Sequence, residues 1–286
     1  MIYNSAEDWM RAPQKRVVLF GMSGLGKTYL SNMLRETGEW FHYSVDYRIG
    51  TRYMGELIAD NAKAHAMQVP FLRDLLLSDS IYIGSNITFD NLAPLSTYLG
   101  KPGNPELGGL SFDTYRTRQE EHRLAEISAL LDAERFAARA EQLYGYPHFV
   151  CDCGGSICEV VDPEDDSDPV LDTLSDLGLM IWLKGDESHR EALIKRFDRA
   201  PKPMYYQAEF LLKAWDDYRA ETGLAEDHVN PDDFVRWTYA RALDHRQPRY
   251  EAMARRGITL SMEDMSHVED AQSFDAIVAK ALDDRP

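Results

Sequence analysis

The chain has 286 residues, of which 44% are hydrophobic, and no long tract is polar or of low complexity. This is enough for one large or two small folded domains and argues against a disordered protein. With 48 acidic and 31 basic residues the formal net charge is −17, which disfavours nucleic acids and anionic membranes as partners.

Residues 1–15 predict a short helix or arm that leads into the first strand. Residues 1–14 are polar and carry Glu7, Asp8 and Arg11, so we expect no signal peptide. No apolar run approaches the length of a membrane span, and three cysteines are too few and too sparse for a disulfide framework. These features predict a cytoplasmic protein.

Residues 16–35 hold the most specific pattern of the chain. An apolar run at 17–20 predicts a buried strand, residues 21–28 fit G-x-x-x-x-G-K-[ST], and apolar residues at helical spacing follow until Gly38. In such a loop the glycines let backbone N–H groups converge on phosphate oxygens, Lys27 places a charge near the β- and γ-phosphates, and Thr28 can ligate Mg²⁺. The alternative is an ordinary glycine-rich turn between a strand and a helix.

We expect ATP and Mg²⁺ to bind at residues 21–28. The predicted nucleotide contacts are Gly21, Ser23, Gly24, Leu25, Gly26, Lys27, Thr28 and Tyr29, together with Arg196 further along the chain.

A second strand is predicted after Trp40, where Phe41, Tyr43 and Val45 alternate, and it should end near Asp46. A carboxylate at the end of a strand beside a P-loop can accept the proton of an acceptor hydroxyl or help to hold Mg²⁺ through water. A helix cap or a turn aspartate is an equally good interpretation of Asp46.

Residues 54–145 predict a mainly helical insertion that covers the acceptor pocket. We expect an amphipathic helix at 67–77, a loop-rich segment at 85–111 and a long helix at 115–144. The predicted apolar face of the long helix is formed by Leu124, Ile127, Leu130, Leu131 and Phe136.

Residues 148–161 return to strand character and end an apolar run on Asp152, as in a Walker B strand. Asp152 is predicted to hold Mg²⁺ through a water, and Gly154 and Gly155 leave backbone amides open to a ligand. The cysteines at 151, 153 and 158 fit no familiar zinc spacing, so we expect small buried hydrophobic side chains there.

After an acidic loop at 162–168, residues 177–183 predict another strand, and the helix that follows is rich in cations. Arg190, Lys195, Arg196 and Arg199 can clamp a polyphosphate during phosphoryl transfer. The alternative is a solvated face on which helical ion pairs form, such as Glu187 with Arg190 and Glu191 with Lys195. Further on we expect helices within 204–245, a helix led into by 246–250, a strand at 258–261 and a closing helix at 274–282.

By its order of elements the chain resembles the shikimate kinase and gluconate kinase branch of the P-loop kinases. The resemblance rests on the P-loop, on Asp46 with Ile49 three residues later, on Gly154 and Gly155, on R-A-P-K-P at 199–203 and on R-x-P-x-Y at 246–250. It implies that Arg199 is a lid arginine and that Arg246 binds an anionic group of the acceptor. The chain differs from the branch at Ser44 and Ser156, which replace an aspartate and a glycine, and in its greater length.

We therefore predict one α/β P-loop NTPase domain over 1–286, a three-layer sandwich with a central parallel sheet. Its core would be about 12–53, 146–203 and 246–286, with the helical insertion at 54–145 and a helical lid extension at 204–245. The predicted activity is transfer of the γ-phosphoryl group of ATP to a hydroxyl of an unidentified small molecule. Lys27, Asp46 and Arg199 are the predicted catalytic residues, and Thr28 and Asp152 the predicted metal ligands. The predicted acceptor-binding residues are Asp46, Arg52, Gly154, Gly155 and Arg246.

Other functions fit the same sequence. An ATPase whose nucleotide state drives a partner protein, with the insertion as its interaction surface, is the first alternative, and a nucleotide-binding regulatory module is the second. A kinase acting on the 5′-hydroxyl of a nucleic acid would need a basic groove that this composition does not offer. No guanine-reading N-K-x-D is present, which favours ATP over GTP, and a homodimer is compatible with the sequence.

Overall fold

The computed structural model describes residues 2–285, and within them the chain forms a five-stranded sheet flanked by helices. The strands are β1 (Arg16–Phe20), β2 (Trp40–Ser44), β3 (His148–Asp152), β4 (Leu179–Lys184) and β5 (Ile258–Ser261). Their order is β2-β3-β1-β4-β5, and each neighbouring pair is parallel. The predicted α/β fold with a central parallel sheet is confirmed.

Helices make up most of the remaining described chain. They are α1 (Ala6–Arg11), α2 (Lys27–Glu36), α3 (Val45–Arg48), α4 (Gly55–Ala66), α5 (Pro70–Leu77), α6 (Ala93–Leu99), α7 (Phe112–Tyr144), α8 (Ile157–Val160), α9 (Pro169–Leu177), α10 (Glu187–Arg199), α11 (Ala208–Thr222), α12 (Pro231–Ala254), α13 (Met262–Ser266) and α14 (Ala271–Asp283). A π-helical turn follows α3 at Ile49–Tyr53, and single 3₁₀ turns lie at Pro105–Leu107 and Glu226–His228. Within residues 2–285 no helix has the length and apolar character needed to cross a membrane.

The position of β1 at the centre of the sheet explains its apolar sequence. Its residues 17–20 are fully buried, as expected for a parallel strand that is covered on both faces. Leu19 lies opposite Asp152 in the register, so β1 and β3 end at the same edge of the sheet. Open parallel sheets bind their ligands at this carboxyl edge.

The chain divides into two compact units. The first contains the sheet and consists of Met1–Val45, Ile127–Ala200 and Thr238–Pro286. The second is helical and consists of Asp46–Glu126 and Pro201–Trp237. It therefore combines most of the predicted insertion with most of the predicted lid extension.

Aromatic packing and a few polar contacts hold the second unit together. The ring of Phe112 stacks on that of Trp215 at 4.6 Å between centroids, and Phe234 meets Trp215 edge-on at 4.9 Å. The side-chain amide of Gln119 donates to the Met204 carbonyl and accepts from the Tyr206 N–H. These contacts join the start of α7 to α11, to the start of α12 and to the segment that precedes α11.

Several predicted boundaries in the helical part are wrong. The helix predicted at 67–77 is α5, which begins three residues later than predicted because Pro70 opens it in the first-turn position that proline favours. The predicted loop-rich segment contains α6. The short helix or arm predicted at 1–15 is found as α1 (Ala6–Arg11), and Met1 lies outside the described residues.

Two predictions about the long helices also need correction. On α7, Leu130 is buried, but Leu124 and Leu131 of the predicted apolar face are exposed. Residues 246–250 do not precede a helix, since they lie inside α12, with Pro248 in its interior. Contacts made by the side chains of this segment, described below, offset the hydrogen bond that an interior proline removes.

His148, at the start of β3, makes the stability of the fold depend on pH. Its Nδ1 accepts a hydrogen bond from the backbone N–H of Lys15 at 3.0 Å. Burial lowers the pKa of His148 below its usual value, and the charge of Lys15 adds to this effect. The folded protein therefore binds the proton less readily than the unfolded chain, and stability is lost as the pH falls below the unfolded pKa of ~6.5.

We expect the melting temperature of the wild type to fall between pH 7 and pH 5 more steeply than that of His148→Gln. Thermal denaturation of both proteins across this range measures the two slopes. His65→Gln, at an exposed position of α4, is the matched control and should keep the wild-type slope. Equal slopes in all three proteins would exclude His148 as the titrating group.

Candidate functional site

The P-loop, residues 21–28, runs from the end of β1 into the first turn of α2. Gly24 and Gly26 have φ angles of +84° and +86°, a left-handed conformation that glycine adopts without strain. Gly26 is the N-cap of α2, so the unpaired N–H groups and the positive end of that helix belong to the loop. This backbone is suited to an anion such as a phosphate group.

Lys27 is a buried cation at the start of α2. Its ammonium donates hydrogen bonds to the carbonyl oxygens of Gly21 and Met22, at 2.8 and 2.9 Å. Because an ammonium loses much of its hydration on burial, it needs such polar partners. The structure therefore places a positive charge within the P-loop itself.

Thr28 and Asp152 connect the P-loop to the end of β3. The Thr28 hydroxyl donates to Asp152 Oδ2 at 2.8 Å, and Asp152 is buried whereas Thr28 is exposed. Hydroxyl and carboxylate oxygens are the hard ligands that Mg²⁺ prefers, and in nucleotide sites this ion takes few protein ligands and completes its shell with water and phosphate. Thr28 and Asp152 are thus suited to hold Mg²⁺, as the sequence predicts.

His42 is a member of this group that the sequence analysis missed. Its side chain is fully buried on β2, and its Nε2 lies 3.6 Å from Asp152 Oδ2. The signal for it was the alternation along β2, which places His42 on the same face of the strand as Ser44, opposite Asp152 in the register. A histidine beside the aspartate extends the polar cluster into the sheet.

The cations of α10 divide into two groups. Arg190 donates to Asp244 at 2.7 Å and pairs with Glu187 at 3.2 Å, and the bond to Asp244 raises its pKa. Lys195 lies 3.7 Å from Glu191. Both helical pairs that the sequence offered as the alternative to a clamp are therefore formed, and these two cations are accounted for by surface ion pairs.

Arg196 differs from them because it lies against the P-loop. A Cβ atom added to Gly24 would lie 3.0 Å from one terminal nitrogen of the Arg196 guanidinium. The exposed Arg196 guanidinium thus lies beside Gly24, an exposed residue of the loop. Arg199 is exposed in the last turn of the same helix. Of the predicted clamp, the structure brings Arg196 to the phosphate-binding loop.

Gly154 and Gly155 follow Asp152 and also approach the P-loop. A Cβ atom on Gly155 would lie 3.2 Å from the backbone nitrogen of Ser23, a close contact that favours glycine. The hydroxyl of Tyr250 donates to the Gly155 carbonyl at 2.5 Å. The glycine pair is therefore held beside the phosphate-binding loop from the side of α12.

Arg246 and Arg249 hold the same segment from α12. Arg246 is buried and pairs with the buried Glu159 at 2.5 Å, while Arg249 donates to the carbonyls of Cys158 and Val161 at 2.6 and 2.7 Å. Burial opposes the charge of Arg246, but Glu159, Tyr250 and Cys158 together outweigh this effect, and the pKa of Arg246 is raised. In this structure Arg246 has an internal partner, and its predicted role toward the acceptor stays a prediction.

The three cysteines surround this segment. All are buried and free, and the Sγ atoms of Cys151 and Cys153 are 3.9 Å apart. Burial raises the pKa of the Cys158 thiol to about 12. They behave as small hydrophobic side chains, as predicted.

Asp46, Arg52 and Tyr29 complete the predicted set. Tyr29 is exposed on α2. Strand β2 ends at Ser44, so Asp46 lies in α3 and not at a strand end, and it belongs to the second unit. Arg52 is an exposed residue of the π-helical turn in that unit.

Comparisons with known proteins add little to this geometry. No protein-family model matches the chain, and no curated protein matches it. Among solved structures it is similar to a shikimate kinase from Bacteroides thetaiotaomicron, with 14% identity over 93% of this chain and 96% of that chain and a TM-score of 0.40. A likeness this distant carries no argument about activity, which depends on the site described above.

Proposed function

We propose that this protein binds ATP with Mg²⁺ at residues 21–28 and transfers the γ-phosphoryl group to a hydroxyl of a small molecule. The observation that carries the proposal is the hydrogen bond between Thr28 and Asp152. It couples the hydroxyl of the P-loop to a buried strand-end carboxylate, which is the pair of oxygens that a nucleotide-bound magnesium ion uses. Lys27 and Arg196 supply positive charge on the same loop.

Each residue has a distinct role in the proposal. When bound, Mg²⁺ supplies charge neutralisation between the phosphates, and Thr28 and Asp152 hold it, directly or through water. Lys27 stabilises negative charge on the phosphoryl oxygens, as do Arg196 and Arg199. Asp46 orients or deprotonates the acceptor hydroxyl, and Arg52 binds the acceptor; both assignments depend on sequence position alone. Most of the rate enhancement then comes from positioning and electrostatics.

One observation favours the alternative of an ATPase that drives a partner protein. Helix α5, in the predicted insertion, has no buried residue and exposes large apolar side chains. A surface of this kind is a feature of proteins that bind another protein. A regulatory module without turnover has no comparable observation in its favour.

An ATP-consumption screen over a library of hydroxyl-bearing metabolites tests the proposal. We expect slow hydrolysis of ATP alone and a marked increase with one class of acceptor. Asp46→Ala should lose about 10²–10⁴-fold of that increase, the usual contribution of a general base. Arg196→Met should also lose most of it, because it removes the cation over the P-loop.

Arg190→Met is the matched control on the same helix and should keep the acceptor-dependent activity, since Arg190 is held by Asp244 and Glu187. If no acceptor increases the rate of ATP hydrolysis but a protein partner does, the protein is an ATPase and the kinase proposal is wrong. If the protein binds ATP but does not hydrolyse it under any of these conditions, the result supports a nucleotide-binding regulatory module.

A further inference from the structure

His42 is a polar side chain in the interior of the sheet. It lies on β2, and its side chain is completely buried. A buried imidazole gives up its hydration, which costs free energy unless a polar group lies close to it. Asp152 is such a group, because its Oδ2 lies 3.6 Å from Nε2 of His42. The proposed function gives His42 no role, although it lies against a predicted metal ligand.

The carboxylate of Asp152 is held at one of its two oxygens. Oδ2 accepts the hydrogen bond of the Thr28 hydroxyl at 2.8 Å and also faces His42. Oδ1 has no hydrogen-bond partner within residues 2–285. Because Asp152 is only 5% exposed, Oδ1 is a nearly buried acceptor that is left for a ligand, such as a water molecule bound to a metal ion.

The register of the sheet explains how His42 reaches Asp152. Ser44 lies opposite Asp152 and His42 lies opposite Val150, so His42 is a diagonal neighbour of Asp152 on the adjacent strand. Residues two apart share one face of a strand, and an imidazole is long enough to span the diagonal. Since an ionised carboxylate only accepts hydrogen bonds, we assign the imidazole hydrogen to Nε2.

A donor at this place restricts the orientation of the carboxylate. At 3.6 Å the contact is longer than a hydrogen bond, so His42 acts on Oδ2 by electrostatic attraction, which is weakly screened in a buried environment. Within the described residues, His42 is the only basic side chain at ion-pair distance from Asp152. While Oδ2 stays in place, Thr28 keeps its hydrogen directed at it, and the lone pairs of the Thr28 oxygen are left for a cation.

We propose that His42 is a positioning residue of the magnesium site: it holds Asp152 in the orientation in which Thr28 and Asp152 bind Mg²⁺ and its water. This role depends on the proposed function, and it adds a residue that acts only through Asp152. Removal of a group that orients a metal ligand commonly lowers metal affinity by about 10–100-fold.

Binding of a non-hydrolysable ATP analogue to the full chain, measured by calorimetry with excess Mg²⁺ and again with EDTA, tests the role of His42. The ratio of the two affinities is the gain that Mg²⁺ supplies, and turnover does not enter it. The wild type should show a clear gain. His42→Leu, which has no donor, should lose about tenfold or more of this gain and keep the affinity measured in EDTA.

A second pair of variants separates orientation from packing. The amide nitrogen of glutamine is as many bonds from the backbone as Nε2 of histidine, whereas that of asparagine is one bond closer. His42→Gln should therefore keep most of the gain from Mg²⁺, and His42→Asn should lose it as His42→Leu does. Circular dichroism shows whether each variant is folded, and the comparison of Gln with Asn still decides the question if His42→Leu does not fold.

His148→Leu is the matched control. His148 begins the strand that Asp152 ends, ~13 Å away at the rise of a strand. It also makes a polar contact, since its Nδ1 accepts from the N–H of Lys15. The control therefore loses a contact of the fold without touching Asp152, and it should keep the full gain from Mg²⁺.

The outcomes distinguish this role from the proposed function. If the wild type does not bind the analogue, or binds it equally well with Mg²⁺ and with EDTA, the magnesium nucleotide site is wrong and the role of His42 is wrong with it. If the wild type shows the gain and both His42→Leu and His42→Asn keep it, the proposed function stands and only the role of His42 is wrong. An equal loss of affinity with Mg²⁺ and with EDTA in these two variants, or a lost gain in His42→Gln or in His148→Leu, would show a general effect on the fold and would also overturn the role.

Discussion

Replacement of Lys27 by methionine is expected to reduce the affinity for MgATP by at least about tenfold and turnover by about 10²–10³-fold. Methionine keeps the length and the apolar stem of the side chain but lacks the ammonium that donates to the carbonyls of Gly21 and Met22. A preorganised cation at the phosphates contributes on this scale in related reactions. Calorimetric titration with MgATP, followed by steady-state kinetics, measures both effects.

The fold should not suffer from this change. Lys27 is buried, and loss of its ammonium removes a desolvation cost that offsets part of the lost hydrogen bonds to the loop. Lys195→Met, at an exposed position of α10, is the matched control and should bind MgATP like the wild type. Unchanged affinity in Lys27→Met would show that residues 21–28 form an ordinary glycine-rich turn, the alternative that the sequence leaves open.

The part of the fold that surrounds the P-loop could be predicted because its signals are local. The apolar run at 17–20 gave β1 to within one residue, and the strand predicted at 258–261 is the observed β5. The P-loop pattern fixes a strand, a loop and a helix within twenty consecutive residues. The position of Asp152 at the end of β3 could be predicted in the same way, since an apolar run that ends on an aspartate indicates the end of a strand.

The ion pairs within α10 could be predicted from helical spacing, but pairs between charged residues that are distant in sequence could not. Arg190 looked like the other cations of α10, but its strongest partner, Asp244, lies 54 positions away. Arg246 matched a substrate-binding motif, and its buried partner Glu159 lies 87 positions away. Neither partner has a local pattern that points to it. Asp46 shows a related difficulty, since the alternation along 41–45 does not reveal where a strand stops and a helix begins.

Glu159→Leu is expected to lower the free energy of unfolding by about 3–5 kcal/mol, because it leaves the Arg246 guanidinium buried without its partner. The side chains of Glu159 and Arg246 are both almost completely inaccessible to water. Arg246→Leu should cost a similar amount, while the double variant should lose less than the sum of the two. Urea denaturation at neutral pH gives the four free energies of this double-mutant cycle.

Asp244→Ala is the matched control, since it removes one partner of the exposed Arg190 pair and should cost less than about 1 kcal/mol.

The double-mutant cycle of Glu159 and Arg246 also decides between two roles for Arg246. If this residue mainly supports the segment after β3, both single variants lose stability together, and any loss of activity is shared by Glu159→Leu. If it binds an anionic group of the acceptor, Arg246→Leu raises the KM for the acceptor while Glu159→Leu, studied below its unfolding transition, does not. The burial of the Glu159–Arg246 pair favours a supporting role. A buried arginine that already pairs with a carboxylate interacts only weakly with an anionic ligand.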